Sequence, residues 1–262
     1  MDINYQFTLA LKALREIQEE QRQGQPAVPG GKALFPNLAD VIKQIGKIPP
    51  NALLFGIASD GLPLFLNLRN ASPGPLLALA DQGSGKTFFL QLLARAAARL
   101  LSPEKVRYAV LTEFPDEWDG LQREPHCLGI YPTFHSTAMD LLYELACQAE
   151  SGPAETSTIL LCDGLDGILR IDPLAQENLR YLLECGPQSF VWPVVSLGAA
   201  RAVELPDWLA FFRTRIYGRI TSMAVADELT PIPGAGLNTL FPGAQFCMRQ
   251  KSHWLRFWLP SL

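Results

Sequence analysis

The stretch Leu76-Leu77-Ala78-Leu79-Ala80-Asp81-Gln82-Gly83-Ser84-Gly85-Lys86-Thr87-Phe88-Phe89-Leu90 limits the possible folds of this 262-residue chain more than any other. Leu76 to Ala80 is an apolar run that reads as a buried parallel strand. A Gly-rich turn follows, then Lys-Thr, then a helical pattern through Leu101. Strand, loop and helix in that order are the context a phosphate-binding P-loop requires. Gly83 and Gly85 let the backbone curl so that successive N–H groups converge on phosphate oxygens. Lys86 is placed to reach the β- and γ-phosphates, and the Thr87 hydroxyl to hold Mg²⁺. The positive end of the helix dipole adds to the attraction. Asp81, Gln82, Gly83, Ser84, Gly85, Lys86, Thr87 and Phe88 are therefore the candidate nucleotide-binding residues, with ATP and Mg²⁺ the implied ligands. One position departs from G-x-x-x-x-G-K-[ST]: Ala80 stands where the first Gly belongs. Alanine does not readily take φ > 0, so the start of the loop is expected to differ slightly.

A second chemical stretch is Ser157-Thr158-Ile159-Leu160-Leu161-Cys162-Asp163-Gly164-Leu165-Asp166. It reads as a buried strand carrying a carboxylate at its C-terminal edge, where open α/β sheets place ligands. Alone, this would equally be a strand ending in an Asp turn. Downstream of a P-loop it matches the Walker B pattern, with Asp163 facing the metal opposite Thr87. Hydrolysing members of the additional-strand P-loop class usually carry Glu next, to polarise the attacking water. Gly164 stands there instead, and Asp166 is the nearest replacement in sequence.

With 48% hydrophobic and 18% charged residues, the chain can bury a large α/β core. No apolar run approaches the 18–20 residues of a membrane span. Met1-Asp2-Ile3-Asn4 lacks the basic and apolar regions of a leader. Five Cys without a C-x-x-C pair read as reduced thiols in a cytoplasm. A net charge of −4 argues against a surface that is basic throughout, while leaving room for a basic stripe in a ring pore. His126, His135 and His253 have no metal-ligand spacing and read as structural.

Residues 3–23 read as an amphipathic helix, packed on its own domain or serving as an arm that docks a partner. The Pro/Gly-rich residues 24–36 read as a linker, and 37–45 as a short helix. The expected division is a helical segment and linker over 1–48 and an ATPase domain over 49–262. Residues 51–68 read as a β-hairpin. In the helix after the P-loop, Gln91, Arg95 and Arg99 recur at i, i+4, i+8 and predict one wet stripe. Further strands are expected at 106–111, 128–131 and 190–197, and helices at 136–150 and 176–185. Residues 208–220 carry Arg213, Arg215 and Arg219 among aromatics. They read as a surface strand with snorkelling side chains, or as the source of an arginine finger, with Arg215 the candidate. The C-terminus reads as a hairpin turning at Gln250-Lys251-Ser252.

The order of these elements resembles the motor domain of the FtsK/SpoIIIE DNA translocases, within the HerA–FtsK group of RecA-like ATPases. The resemblance runs from Leu54 to near the end. Gly56-Ile57-Ala58-Ser59-Asp60-Gly61-Leu62-Pro63 leading to Asn67-Leu68 is similar to that family's segment before the P-loop strand. Pro103-Glu104-Lys105-Val106 and Pro125-His126-Cys127 stand in the places of its next two signatures. Thr214 to Ser222 resembles its "N.P.RI.FRV.S" run, and Gly234 to Leu237 with Phe241 to Met248 resembles its closing segment. The resemblance implies an α/β fold: a RecA-like P-loop NTPase core with a mostly parallel sheet flanked by helices, and an antiparallel hairpin at the C-terminal end. It also implies a DNA-dependent ATPase of translocase type, acting on double-stranded DNA as a hexameric ring, with Arg215 completing a neighbour's site. The departures imply an alternative. The family's "DE" is Asp163-Gly164, and the polar pair of its sensor strand falls on Leu197 and Gly198. A chain lacking those groups would be a catalytically weakened nucleotide-binding assembly or regulatory subunit, docking a partner protein through its N-terminal helix.

Overall fold

The computed structural model describes residues 37–46, 48–230 and 232–261. The helix expected over 3–23 and the linker over 24–36 lie outside the described residues. Ten strands form one mixed sheet among them: β1 (Ala52–Ala58), β2 (Pro63–Asn67), β3 (Leu76–Ala80), β4 (Val106–Thr112), β5 (Cys127–Pro132), β6 (Ser157–Asp163), β7 (Val191–Gly198), β8 (Thr214–Tyr217), β9 (Gln245–Gln250) and β10 (His253–Trp258). Their spatial order is β2-β1-β10-β9-β8-β3-β7-β6-β4-β5. From β8 to β5 every pairing is parallel. The β1/β2 and β9/β10 hairpins extend the sheet antiparallel, as their turn signals predict.

Continuous apolar runs mark strands buried on both faces, and alternate residues feed two cores. Leu76, Ala78, Val110, Ile159 and Leu161 share one core with α1 (Leu38–Ile45) and α2 (Lys86–Leu100). Leu77, Leu79, Ala109, Leu111 and Leu160 share the other with α3 (Thr137–Glu150), α4 (Leu165–Leu169), α5 (Pro173–Cys185) and α6 (Ala199–Val203). A further helix, α7 (Met223–Leu229), adds Leu229 to this second core. The Asn37 side chain caps α1, and the Leu38 N–H donates to the Ser261 carbonyl. This helix belongs to the compact unit of residues 35–262. Helix α5 starts at Pro173, ahead of the expected Gln176, because Asp172 accepts a hydrogen bond from the Leu174 N–H.

Two expectations are corrected. The polar stripe of α2 is not wet along its length. Gln91 donates to the Glu117 carbonyl, and the Arg95 Nε is buried, so the turn following β4 covers them and only Arg99 is exposed. Nor is 208–220 a surface strand. Only Thr214–Tyr217 is extended, and it lies between β3 and β9 with Ile216 and Tyr217 buried. Among the described residues no helix is long and apolar enough to cross a membrane.

Candidate active site

The C-terminal ends of β3, β7, β6 and β4 lie side by side, and Lys86, Thr87 and Asp163 come together there. Beyond β3 the chain turns through Gly83 (φ 73°) and Gly85 (φ 88°) into α2. Gly85 is needed for two reasons: its φ favours glycine, and a Cβ there would lie 2.8 Å from the Gly243 carbonyl oxygen. No side chain caps α2, so its first N–H groups keep their capacity for an anion.

Ala80 is an ordinary, fully buried strand residue with no positive φ, so the missing first Gly does not distort the turn. The space is made just past the end of the neighbouring strand β8: a Cβ at Gly218 would lie 2.9 Å from the Ala80 Cβ. Asp81 ties the loop to the chain beyond β8. Its N–H donates to the Arg219 carbonyl, and its carboxylate accepts from the Thr221 N–H at 2.8 Å.

A cleft of about 470 Å³ opens here, lined by Gln82, Gly83, Gly85, Lys86, Thr87, Asp163, Gly164 and Ser196, with Glu113, Phe114 and Glu117 along one side. Of the eight predicted nucleotide-binding residues, Asp81, Ser84 and Phe88 are not part of this lining; Ser84 is buried and Phe88 packs on the core. The Lys86 ammonium donates to the carbonyls of Ala80 (3.1 Å) and Asp81 (3.0 Å). Burial pulls its pKa down, while Asp163 and Asp81 oppose that shift. A phosphate fits this cation, because it would supply the anionic oxygens that the two carbonyls only approximate.

Across the cleft, Thr87 Oγ1 donates to Asp163 Oδ1 at 3.1 Å. Ser196 Oγ donates to the same oxygen at 3.0 Å and accepts from the Gly164 N–H at 2.9 Å. Ser196 sits on β7, the strand between β3 and β6, and ties Asp163 to the backbone that follows it. Burial raises the Asp163 pKa, against the hydrogen bonds from Thr87 and Ser196. The buried Trp118 indole N–H has no partner of hydrogen-bond geometry, yet it too favours the ionised carboxylate. Thr87 and Asp163 together offer a hydroxyl and a carboxylate for a Mg²⁺ that keeps several waters. No cluster of three or more His, Cys, Asp or Glu forms a cage among the described residues, and a nucleotide-borne Mg²⁺ needs none.

Ser196 went unseen in the sequence, where the sensor pair fell on Leu197 and Gly198. Its signal was there: a lone hydroxyl in the apolar run Val191-Trp192-Pro193-Val194-Val195-Ser196-Leu197. Asp166 does not line the cleft. Helix α4 starts directly after Gly164, and the Asp166 carboxylate pairs with Arg201 Nε at 2.8 Å. Arg215 is not in this lining either. It lines a separate cleft with Arg213 and Arg249, and its guanidinium donates to the Leu209 carbonyl at 2.8 Å.

A parallel sheet with a Lys-Thr P-loop after one strand and an Asp at the end of the strand two places away defines a P-loop NTPase fold, and solved P-loop ATPases share it. Among solved structures, the chain is similar to ATPases 2 and 3 of Thermomonospora curvata EccC, in complex with a signal sequence peptide. The TM-score is 0.68 at 14% identity, over 91% of this chain and 46% of that one. It is similar to the cytoplasmic domain of EssC, with a TM-score of 0.69 at 12% identity over 100% of this chain and 54% of that one. The pCW3 conjugation coupling protein TcpA, in its monomer form with ATPγS, gives 0.63 at 12% identity over 87% of this chain and 70% of that one. The chain thus spans about half the length of the EccC and EssC chains. No protein-family model matches the sequence, and no curated protein matches it.

Proposed function

We propose that this chain binds Mg-ATP in the P-loop cleft and hydrolyses it as the ATPase unit of a translocase-type motor. The observation that carries this reading is the joined set Thr87–Asp163–Ser196 lining one cleft together with Lys86. Lys86 would neutralise the β- and γ-phosphates, and the N-terminal turn of α2 would hold them with backbone N–H groups. Thr87 and Asp163 would hold the Mg²⁺, which spreads the charge that develops on the phosphates. Ser196 keeps Asp163 in place and joins it to the backbone of Gly164. In this reading the chain works in the cytoplasm as a homo-oligomeric ring, with Arg215 acting on a neighbour's nucleotide and double-stranded DNA as the threaded substrate. The fold likeness to a conjugation coupling protein supports a nucleic-acid substrate, while the likeness to EccC, a Type VII secretion ATPase solved in complex with a signal sequence peptide, supports a polypeptide one.

A second reading is favoured by the Gly164 backbone and by the capture of Asp166 by Arg201. In it, ATP fixes the shape of an assembly subunit and turnover is slow. ATP turnover with and without long double-stranded DNA separates the two readings. DNA-stimulated phosphate release supports the motor, and tight binding without release supports the assembly subunit.

A further inference from the structure

We propose that Glu113 is the carboxylate that orients and deprotonates the attacking water, supplying from β4 what is missing after Asp163 on β6. The proposal rests on the reading of the cleft as an ATP site. Strands β4 and β6 pair in parallel, with Thr112 opposite Asp163. Glu113 and Gly164 therefore leave the sheet side by side at the same edge, and both line the cleft. The absent glutamate has been shifted by one strand rather than lost.

The position after Asp163 is poorly suited to a glutamate, because Gly164 holds φ 101°, a region that L side chains rarely adopt. Glu113, by contrast, is held. Arg170, the residue after α4, pairs with its carboxylate. Gly167 leaves room for it: a Cβ there would lie 2.9 Å from the Glu113 Cγ, 3.1 Å from its Cδ and 3.1 Å from Thr133 Oγ1. The Glu113 side chain keeps 36% of its surface exposed, enough to meet a water molecule in the cleft. Glu117 also lines the cleft, but it stands four residues further on, in the turn Pro115–Trp118 above the sheet edge. Asp166 is engaged by Arg201 outside the lining.

In the step this assigns, the water oxygen bonds to the γ-phosphorus as the bond from that phosphorus to the β–γ bridging oxygen breaks. ADP leaves with the electron pair of that bond. The water proton passes to the Glu113 carboxylate and from there to solvent.

Glu113→Gln and Gly167→Ala test the assignment, with a fluorescent ATP analogue for binding and single-turnover phosphate release for chemistry. A positioned general base contributes about 10²–10⁴-fold. Glu113→Gln should bind the analogue within about twofold of wild type and release phosphate at least about 100-fold more slowly. Gly167→Ala leaves every charge in place and adds a good helix former. It should nevertheless slow release by about tenfold or more by displacing the carboxylate. Undiminished release by Glu113→Gln would overturn the proposal, as would a wild-type chain that binds but releases nothing. A wild-type chain that binds no analogue would sink the ATP reading itself, and this proposal with it.

Discussion

Removing one buried hydroxyl offers a quantitative check on the site. Ser196 is 1% exposed and makes two hydrogen bonds, donating to Asp163 and accepting from the Gly164 N–H. In Ser196→Ala a bond to a charged group (about 1.5–3 kcal/mol) and a neutral one (about 0.5–1.5 kcal/mol) are lost, roughly 2–4 kcal/mol together. For a domain of this size, each kcal/mol moves Tm by about 2–4 °C, so a fall of about 5–15 °C is expected. The deficit should depend on pH. Burial holds the Asp163 pKa above its ordinary value, so its ionisation removes stability as pH rises through the folded-state pKa. Without Ser196 that pKa rises further and the loss is deeper. The gap between variant and wild type should be widest above the folded-state pKa of Asp163 and should shrink as Asp163 is protonated in acid. Thermal and urea unfolding at several pH values measure it. A variant with wild-type Tm across that range would refute the Ser196 bridge.

Three further substitutions have outcomes set by the same geometry. Asp163→Asn removes a charge that burial opposes, so the nucleotide-free protein should melt higher at neutral pH and lose its advantage in acid, while Mg²⁺-dependent stabilisation by ATP disappears; thermal shift with and without Mg²⁺ reads both. Gly85→Ala imposes a left-handed backbone on alanine, at about 1–2 kcal/mol, and drives a Cβ against the Gly243 carbonyl. It should lower Tm by several degrees and abolish analogue binding in a fluorescence titration. Ala80→Gly restores the motif's first glycine but only loosens a buried strand residue, so it should cost about 0.5–1 kcal/mol in denaturant unfolding and leave ATP affinity unchanged.

Lys86, Thr87 and Asp163 were legible in the sequence because their pattern is local: an apolar strand followed by a few residues of fixed type. Their meeting across the cleft follows from the parallel sheet that the same pattern implies. Ser196 and Glu113 were not legible, because each matters only through register with a strand distant in sequence. Ser196 becomes significant once β7 lies between β3 and β6, and Glu113 once Thr112 is opposite Asp163. Asp166 shows the converse. It is three residues from Asp163, yet helix α4 carries it to Arg201. The stripe on α2 misled for a related reason, since the turn that covers Gln91 and Arg95 comes from the end of β4. Gly164 read as an absent glutamate, whereas its φ of 101° shows a backbone fitted to glycine, so Gly164→Glu is expected to strain the loop rather than raise turnover.

Calorimetric titration of a non-hydrolysable ATP analogue, with and without Mg²⁺, into the wild-type chain and into Lys86→Ala tests the nucleotide site most directly. One molecule should bind per wild-type chain, more tightly with Mg²⁺, and the variant should show no binding heat. Since ligand at about 100 times Kd stabilises by about 2.7 kcal/mol, only the wild type should gain in a parallel melt. Equal binding by Lys86→Ala, or affinity indifferent to Mg²⁺, would contradict the assignment of Lys86, Thr87 and Asp163.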